Sequence, residues 1–171
     1  MNLHHTAAVL LRIRVAELAT LFTHIAHARM AGVPVLNAAL QVEAIGFECL
    51  PAGEGEPAGL GILVTPWFMN LVRLPLLRND SAAQVGHTHA EALAGQRFEF
   101  IGAHEATLGA FCACSLFSPM FEFADQPAAR ATALEVLALL RSPPLPATRT
   151  EPAPARRSFL FGRSAAPEAR P

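Results

Sequence analysis

At 171 residues and 18.2 kDa the chain has the length of one domain, or of one domain with a tail. Apolar residues make up 52% and charged residues 16%, enough to fill a core, which excludes a wholly disordered chain. All 13 cationic residues are arginine and the formal net charge is −1, so bulk electrostatics gives no reason to expect nucleic-acid binding.

The chain start does not read as a secretory signal, because Arg12 and Arg14 interrupt the apolar run where such a signal is continuous. Mean hydropathy is high at +0.33. Even so, stretches such as Leu60–Met69 fall short of the roughly 18 residues that span a bilayer. Three cysteines, Cys49, Cys112 and Cys114, suit a reducing cytoplasm better than a disulfide scaffold. The expectation is a soluble, cytoplasmic protein without a membrane span.

Taken in order, the first element is an amphipathic helix over about residues 6–30. Leu11, Val15, Leu18, Phe22 and Ile25 form its seam, with Arg14, Glu17 and His24 off it. Thr6 is a candidate N-cap, Gly32 suits a left-handed end, and Pro34 stops the helix. Strand-like segments follow at Leu40–Phe47 and Leu60–Val64, ended by Pro66, and then over Trp67–Leu76. Asn79–Ala94 is polar and alanine-rich and reads as loop, with at most a short helix. Arg97–Ile101 alternates cleanly, and Leu108–Leu116 is a further strand candidate. Asp125 then caps a helix to about Arg141, with Leu134, Leu137 and Leu140 on one face and Pro143 as its stop. Helix, uninterrupted strands, then helix predicts an α+β fold: a mostly antiparallel sheet packed against an N-terminal and a C-terminal helix.

Composition shifts near residue 142. Residues 142–171 hold seven of the 14 prolines, and five arginines face only Glu151 and Glu168 there, a net charge of +3 that leaves −4 on the rest. We therefore expect a globular body over 1–141 and a flexible Pro- and Arg-containing tail over 142–171.

No motif for nucleophilic, phosphate-loop or dinucleotide chemistry is present, and the expectation is a protein that is no enzyme. Cys112 and Cys114 form a C-x-C that in a strand puts both thiols on one face. Two thiols make half a zinc site, and small buried side chains are their ordinary fate. A metal or Fe–S carrier using Cys112, Cys114 and Cys49, and a thiol redox enzyme on C-x-C, stay open as alternatives. His24 and His27 stand at i, i+3 with no third ligand at motif spacing, which fits an exposed helix face. No cofactor or metal site is expected. Two segments are unusual for plain core: Thr65-Pro66-Trp67-Phe68-Met69-Asn70, and Ser115 through Asp125 with Phe117, Pro119, Met120, Phe121, Glu122 and Phe123. Each joins a proline to aromatics and methionine, residue types enriched at protein interfaces.

These segments carry a resemblance. Arg29–Pro34 with Asn37, Leu40, Val42–Ala44 and Phe47, then Thr65–Leu71, Phe98–Phe100 and Cys114–Asp125, resemble the HybE family of [NiFe]-hydrogenase assembly proteins, which includes HupJ and HoxT. The blocks span most of residues 22–140. The resemblance implies a small cytoplasmic chaperone that acts on precursors of an uptake hydrogenase. The clients it implies are the large subunit and the small subunit, whose twin-arginine signal peptide is held back until assembly is complete. Other maturation proteins are further implied partners. Client contact is expected at Thr65, Pro66, Trp67, Phe68, Met69, Asn70, Phe117, Pro119, Met120 and Phe121. Glu43, Glu99 and Glu122 would accept signal-peptide arginines in bidentate pairs. Within the tail, Arg156-Arg157-Ser158-Phe159-Leu160 resembles a twin-arginine core, but no apolar stretch follows it as an export signal requires. Arg156, Arg157, Phe159 and Leu160 are thus candidates for an internal mimic of the client.

Overall fold

The computed structural model describes residues 3–51, 55–81 and 83–142. The tail expected from residue 142 lies outside them, except for Ser142 itself.

The elements run α1 (Leu3–His27), β1 (Glu43–Cys49), β2 (Ala58–Val64), β3 (Met69–Pro75), β4 (Thr88–Leu93), β5 (Gln96–Glu105), β6 (Gly109–Phe117) and α2 (Gln126–Arg141). The six strands form one antiparallel sheet in the order β1-β2-β3-β6-β5-β4. This is the α+β architecture expected from the alternation of patterns.

One helix packs on each face. On the α1 side Leu18, Phe22 and Ile25 meet Leu63, Val72, Leu74, Leu108 and Phe111. On the α2 side Ala129, Ala133 and Leu137 meet Ile62, Val64, Met69, Leu71 and Phe100. Every residue of β2 is buried, because both its faces are covered. That explains its unbroken apolar run.

Three local readings are corrected. Arg14, expected off the α1 seam, is 4% exposed. Its guanidinium reaches across α1 to the sheet, donating from Nε to the Pro75 carbonyl at 3.1 Å and from Nη2 to the Leu108 carbonyl at 2.8 Å. On α2 the buried face is Ala129, Ala133 and Leu137, with Leu134 exposed: the two alanines bring the helix close on β1 and β2, and the missing side chain of Gly46 makes room for Leu137. Finally, the expected loop at 79–94 contains β4. Four of its six residues are exposed and only Leu93 is a large apolar one, so it shows no apolar alternation, and its pairing with β5 supplies what propensity lacks.

The β4–β5 turn was hidden for a related reason. Ala94 and Gly95 form a two-residue hairpin with φ of 49° and 78°, the left-handed pair that Asn-Gly ordinarily marks. An alanine pays about 1 kcal/mol to sit there. Ala94→Asn is expected to raise stability by about 0.5–1 kcal/mol, read as a higher urea midpoint at unchanged slope.

At the other sheet edge β1 carries a bulge. The register to β2 shifts between Ile45 and Glu48, where Gly46 has φ 61°. The Arg141 guanidinium donates to the Gly46 carbonyl and pairs with Glu48. Asp125 caps α2 as expected, accepting the Ala128 N–H at 2.8 Å.

Candidate functional site

The strand ends β2, β3 and β6 bring the two unusual segments to the same end of the sheet, since Val64 pairs with Met69 and Met69 with Phe117. Thr65–Phe68 is the β2–β3 turn. The buried Thr65 hydroxyl donates to the Phe68 carbonyl at 3.0 Å and accepts the Phe68 N–H at 2.9 Å, while the Thr65 N–H bonds the same carbonyl. That closed ring of bonds fixes Pro66 and Trp67 at the tip. Trp67 and Phe68 pack edge-to-face at 5.4 Å and join the α1-side core, where Phe68 meets Phe22.

The second segment leaves β6, passes a cis Ser118–Pro119 bond and turns back toward α2. Phe117 and Phe123 pack edge-to-face at 5.2 Å, and the fully buried Met120 lies in the α2-side core with them. Phe121 between them is 59% exposed, flanked by exposed Pro119 and Glu122.

Asn37 joins the segments. Its side-chain amide donates to the Met120 carbonyl at 3.0 Å and the Phe123 carbonyl at 2.8 Å. Its Oδ1 accepts the Ala39 N–H, and its backbone N–H bonds the Pro66 carbonyl. The Ser118 hydroxyl reaches the Trp67 carbonyl at 3.4 Å. Sequence reasoning placed Asn37 within a motif but gave it no role, because a one-residue clip between three segments leaves no periodic signal. It also missed Val35, 41% exposed on the loop leading into Asn37.

The expected contact residues therefore divide. Thr65, Met69 and Met120 are buried and hold the site in shape, whereas Pro66, Trp67, Phe68, Asn70 and Phe117 are half-buried at its rim. Pro119, Phe121 and Glu122 face solvent. The three carboxylates do not share one surface. Glu43 is engaged from inside: Arg130 pairs with it in bidentate fashion at 2.8 and 3.1 Å, and Gln126 donates at 2.6 Å. Partial burial pushes its carboxyl up, but those bonds and the Arg130 charge outweigh burial and hold it below its ordinary value of 4.5. Glu99 is exposed on β5, between Phe98 and Phe100, which turn to the α2 side, so its own side chain turns to the other face. Neither Glu99 nor Glu122 has an arginine within 4 Å among the described residues.

Cys112 and Cys114 do share a face, lying opposite Arg73 and Leu71 of β3. Both are half-buried, and burial pushes both thiols up from 9.0, away from the thiolate that metal binding and redox attack require. Cys49 is exposed at the far end of β1. Among the described residues no three His, Cys, Asp or Glu side chains converge as a metal site would need. No helix of the described residues is long and apolar enough to cross a membrane. A groove of about 680 Å³ along α1, lined by Ile13, Glu17, Leu21, His24 and Thr107 among others, shares no lining residue with the segments above.

Comparison with known proteins converges on one group. A family model described as "[NiFe]-hydrogenase assembly, chaperone, HybE" matches residues 13–162. The chain is 52% identical over 160 residues to Protein HoxT of Cupriavidus necator, covering 88% of this chain and 89% of that one. It is 42% identical over 159 residues to the hydrogenase expression/formation protein HupJ of Bradyrhizobium diazoefficiens, covering 85% of each. The solution structure of HybE from Escherichia coli shares the fold, with a TM-score of 0.53 over 90% of this chain and 91% of that one at 22% identity.

Proposed function

Since the chain belongs to the HybE family of [NiFe]-hydrogenase assembly chaperones, we propose that it binds precursor subunits of such a hydrogenase at the end of the sheet where the two unusual segments meet. The observation that carries the reading is Phe121. An aromatic ring 59% exposed, on a loop pinned by Asn37 and by the burial of Met120 and Phe123, forgoes the burial its own core would offer. Such rigid exposed aromatics anchor partners at little entropic cost. Pro119 and Val35 are further exposed apolar residues on the segments that Asn37 ties together, and Glu122 offers an exposed carboxylate to an arginine.

The clients in this reading are the large-subunit precursor and the small-subunit precursor with its twin-arginine signal peptide. Their capture in the cytoplasm delays export until assembly is complete. The role is non-catalytic and calls for no cofactor, and the raised Cys112 and Cys114 thiols give the carrier and redox alternatives no support. Residues 1–141 form the client-binding body and 142–171 a tail. The family match runs to residue 162, past Arg156, Arg157, Phe159 and Leu160, which supports a role for that segment beyond sequence drift.

The test is a binding measurement with each purified precursor. Phe121→Asp is expected to weaken the complex tenfold or more while leaving the urea midpoint within about 0.5 kcal/mol of wild type, as surface changes do. Unchanged affinity for both precursors rejects the surface.

A further inference from the structure

The two edges of the sheet differ. β1 is blunted by its Gly46 bulge, by the Arg141 side chain on the Gly46 carbonyl, and by the Gln126 side chain on the Gln41 N–H. β4 has none of these protections. Its six residues pair with β5 without a register shift, and it carries no proline. Its one charged side chain, Glu91, turns inward toward Arg73, 3.9 Å away. Nothing among the described residues pairs with its outer side. An unblocked regular edge is a template for another strand, and natural sheets ordinarily protect theirs.

The register says which backbone groups are free. Leu93 and Gln96 close the two-residue turn, so they form a hydrogen-bonded pair. Antiparallel alternation then turns the N–H and C=O of His89 and Glu91 inward to β5, and those of Thr88, Ala90 and Ala92 outward.

We propose that this edge pairs with the β4 edge of a second copy of the same chain, antiparallel and with Ala90 on the two-fold axis. The register is self-complementary. It sets Ala90 against Ala90 of the second copy and Thr88 against Ala92, which uses all three outward residues of each strand. On the other face it sets His89 against Glu91, twice. That is a non-hydrogen-bonded pair, the type in which side chains approach most closely, and it places an imidazole donor opposite a carboxylate acceptor. His89 is held in place by stacking on Phe100, with ring centroids 5.8 Å apart. A register centred on Glu91 would set Glu91 against itself and use only two outward residues, and one centred on His89 would lose the imidazole–carboxylate pairing. The side chains flanking the axis on the first face are Thr88, Ala90 and Ala92, small enough to let two strands meet at 4.8 Å spacing. The interface is one strand wide, so the dimer is weak, with a dissociation constant on the order of tens to hundreds of micromolar. This inference does not depend on the client surface.

Sedimentation velocity on the full chain from about 5 to 300 μM tests it, with dimer expected at the upper end. Ala90→Pro removes an outward N–H that β5 does not use, so it should leave the urea midpoint near wild type and weaken self-association tenfold or more. His89→Glu sets like charges together and should weaken it comparably, and His89→Glu/Glu91→His should restore it, because the swap re-forms the same pair across the axis. A chain monomeric throughout the range overturns the proposal, as does a dimer indifferent to both Ala90→Pro and His89→Glu. A monomer that loses precursor binding on Ala90→Pro also overturns it, and assigns the edge to an extended client segment instead.

Discussion

Arg14→Ala is expected to lower the stability of the protein by about 3–5 kcal/mol, the largest loss for any single charged side chain among the described residues. The guanidinium is almost wholly buried between α1 and the sheet. It satisfies the carbonyl of Pro75 at the end of β3 and that of Leu108 in the β5–β6 turn, and it pairs with Glu17 at 2.6 Å. Truncation leaves the Pro75 and Leu108 carbonyls without their donor beneath α1. Arg14→Met separates packing from hydrogen bonding. It keeps most of the stem's volume, and its expected loss is about 2 kcal/mol, the cost of the unpaired carbonyls alone. Urea unfolding of the two variants checks both numbers. A loss below about 1 kcal/mol for Arg14→Ala would contradict the account.

Asn37→Ala is expected to cost about 2–3 kcal/mol and to weaken precursor binding among the molecules that remain folded. The side chain closes the loop at Met120 and Phe123 with two donated bonds, over a sequence separation of more than eighty residues. Without it those carbonyls lose their donors and Phe121 loses its fixed presentation. Asn37→Asp keeps shape and volume but aims carboxylate oxygen at two carbonyl oxygens, so its loss should exceed that of alanine. Denaturant midpoints and precursor affinities measured on the same preparations separate folding from binding. A loss below about 0.5 kcal/mol for Asn37→Ala would mean that the amide donors contribute nothing.

The legibility of the chain followed burial. Where an element packs one face against a covered sheet, as α1 does through Leu11, Leu18, Phe22 and Ile25, the period is visible in the residues and the helix was placed within three residues at each end. β2, buried on both faces, was read from its apolar run, and α2 from Asp125 and the leucines after it. β4 is not legible because its inward face is His89, Glu91 and Leu93 and its outward face Thr88, Ala90 and Ala92, so a single apolar residue, Leu93, is all that marks the covered side. Arg14 stands three residues after Leu11 and four before Leu18, on the buried stripe itself; its charge alone sets it off the seam, although a long side chain can satisfy backbone carbonyls across a packing interface. At the candidate site the two segments stand out in the sequence by their prolines, aromatics and methionines, but their division into buried supports and exposed residues is not legible there. That division depends on strand ends meeting, which is set by the order β2-β3-β6 rather than by any local pattern. The three carboxylates showed the same limit. Glu43 is consumed by Arg130, 87 residues away, a partner only the fold could name.

The helices pack chiefly over β1, β2 and β3, which leaves the β4–β5 hairpin attached to the rest of the sheet mainly through the ladder to β6. Its amide protons are therefore shielded by far fewer cooperating contacts than those of β2. Deuterium uptake in the native protein should follow two regimes, with the hairpin exchanging through its own opening and β2 only when the whole molecule unfolds. The hairpin is thus expected to open before the rest of the sheet, and each opening draws Phe100 out of the core that also holds Met120 and Phe123 beneath the Phe121 loop.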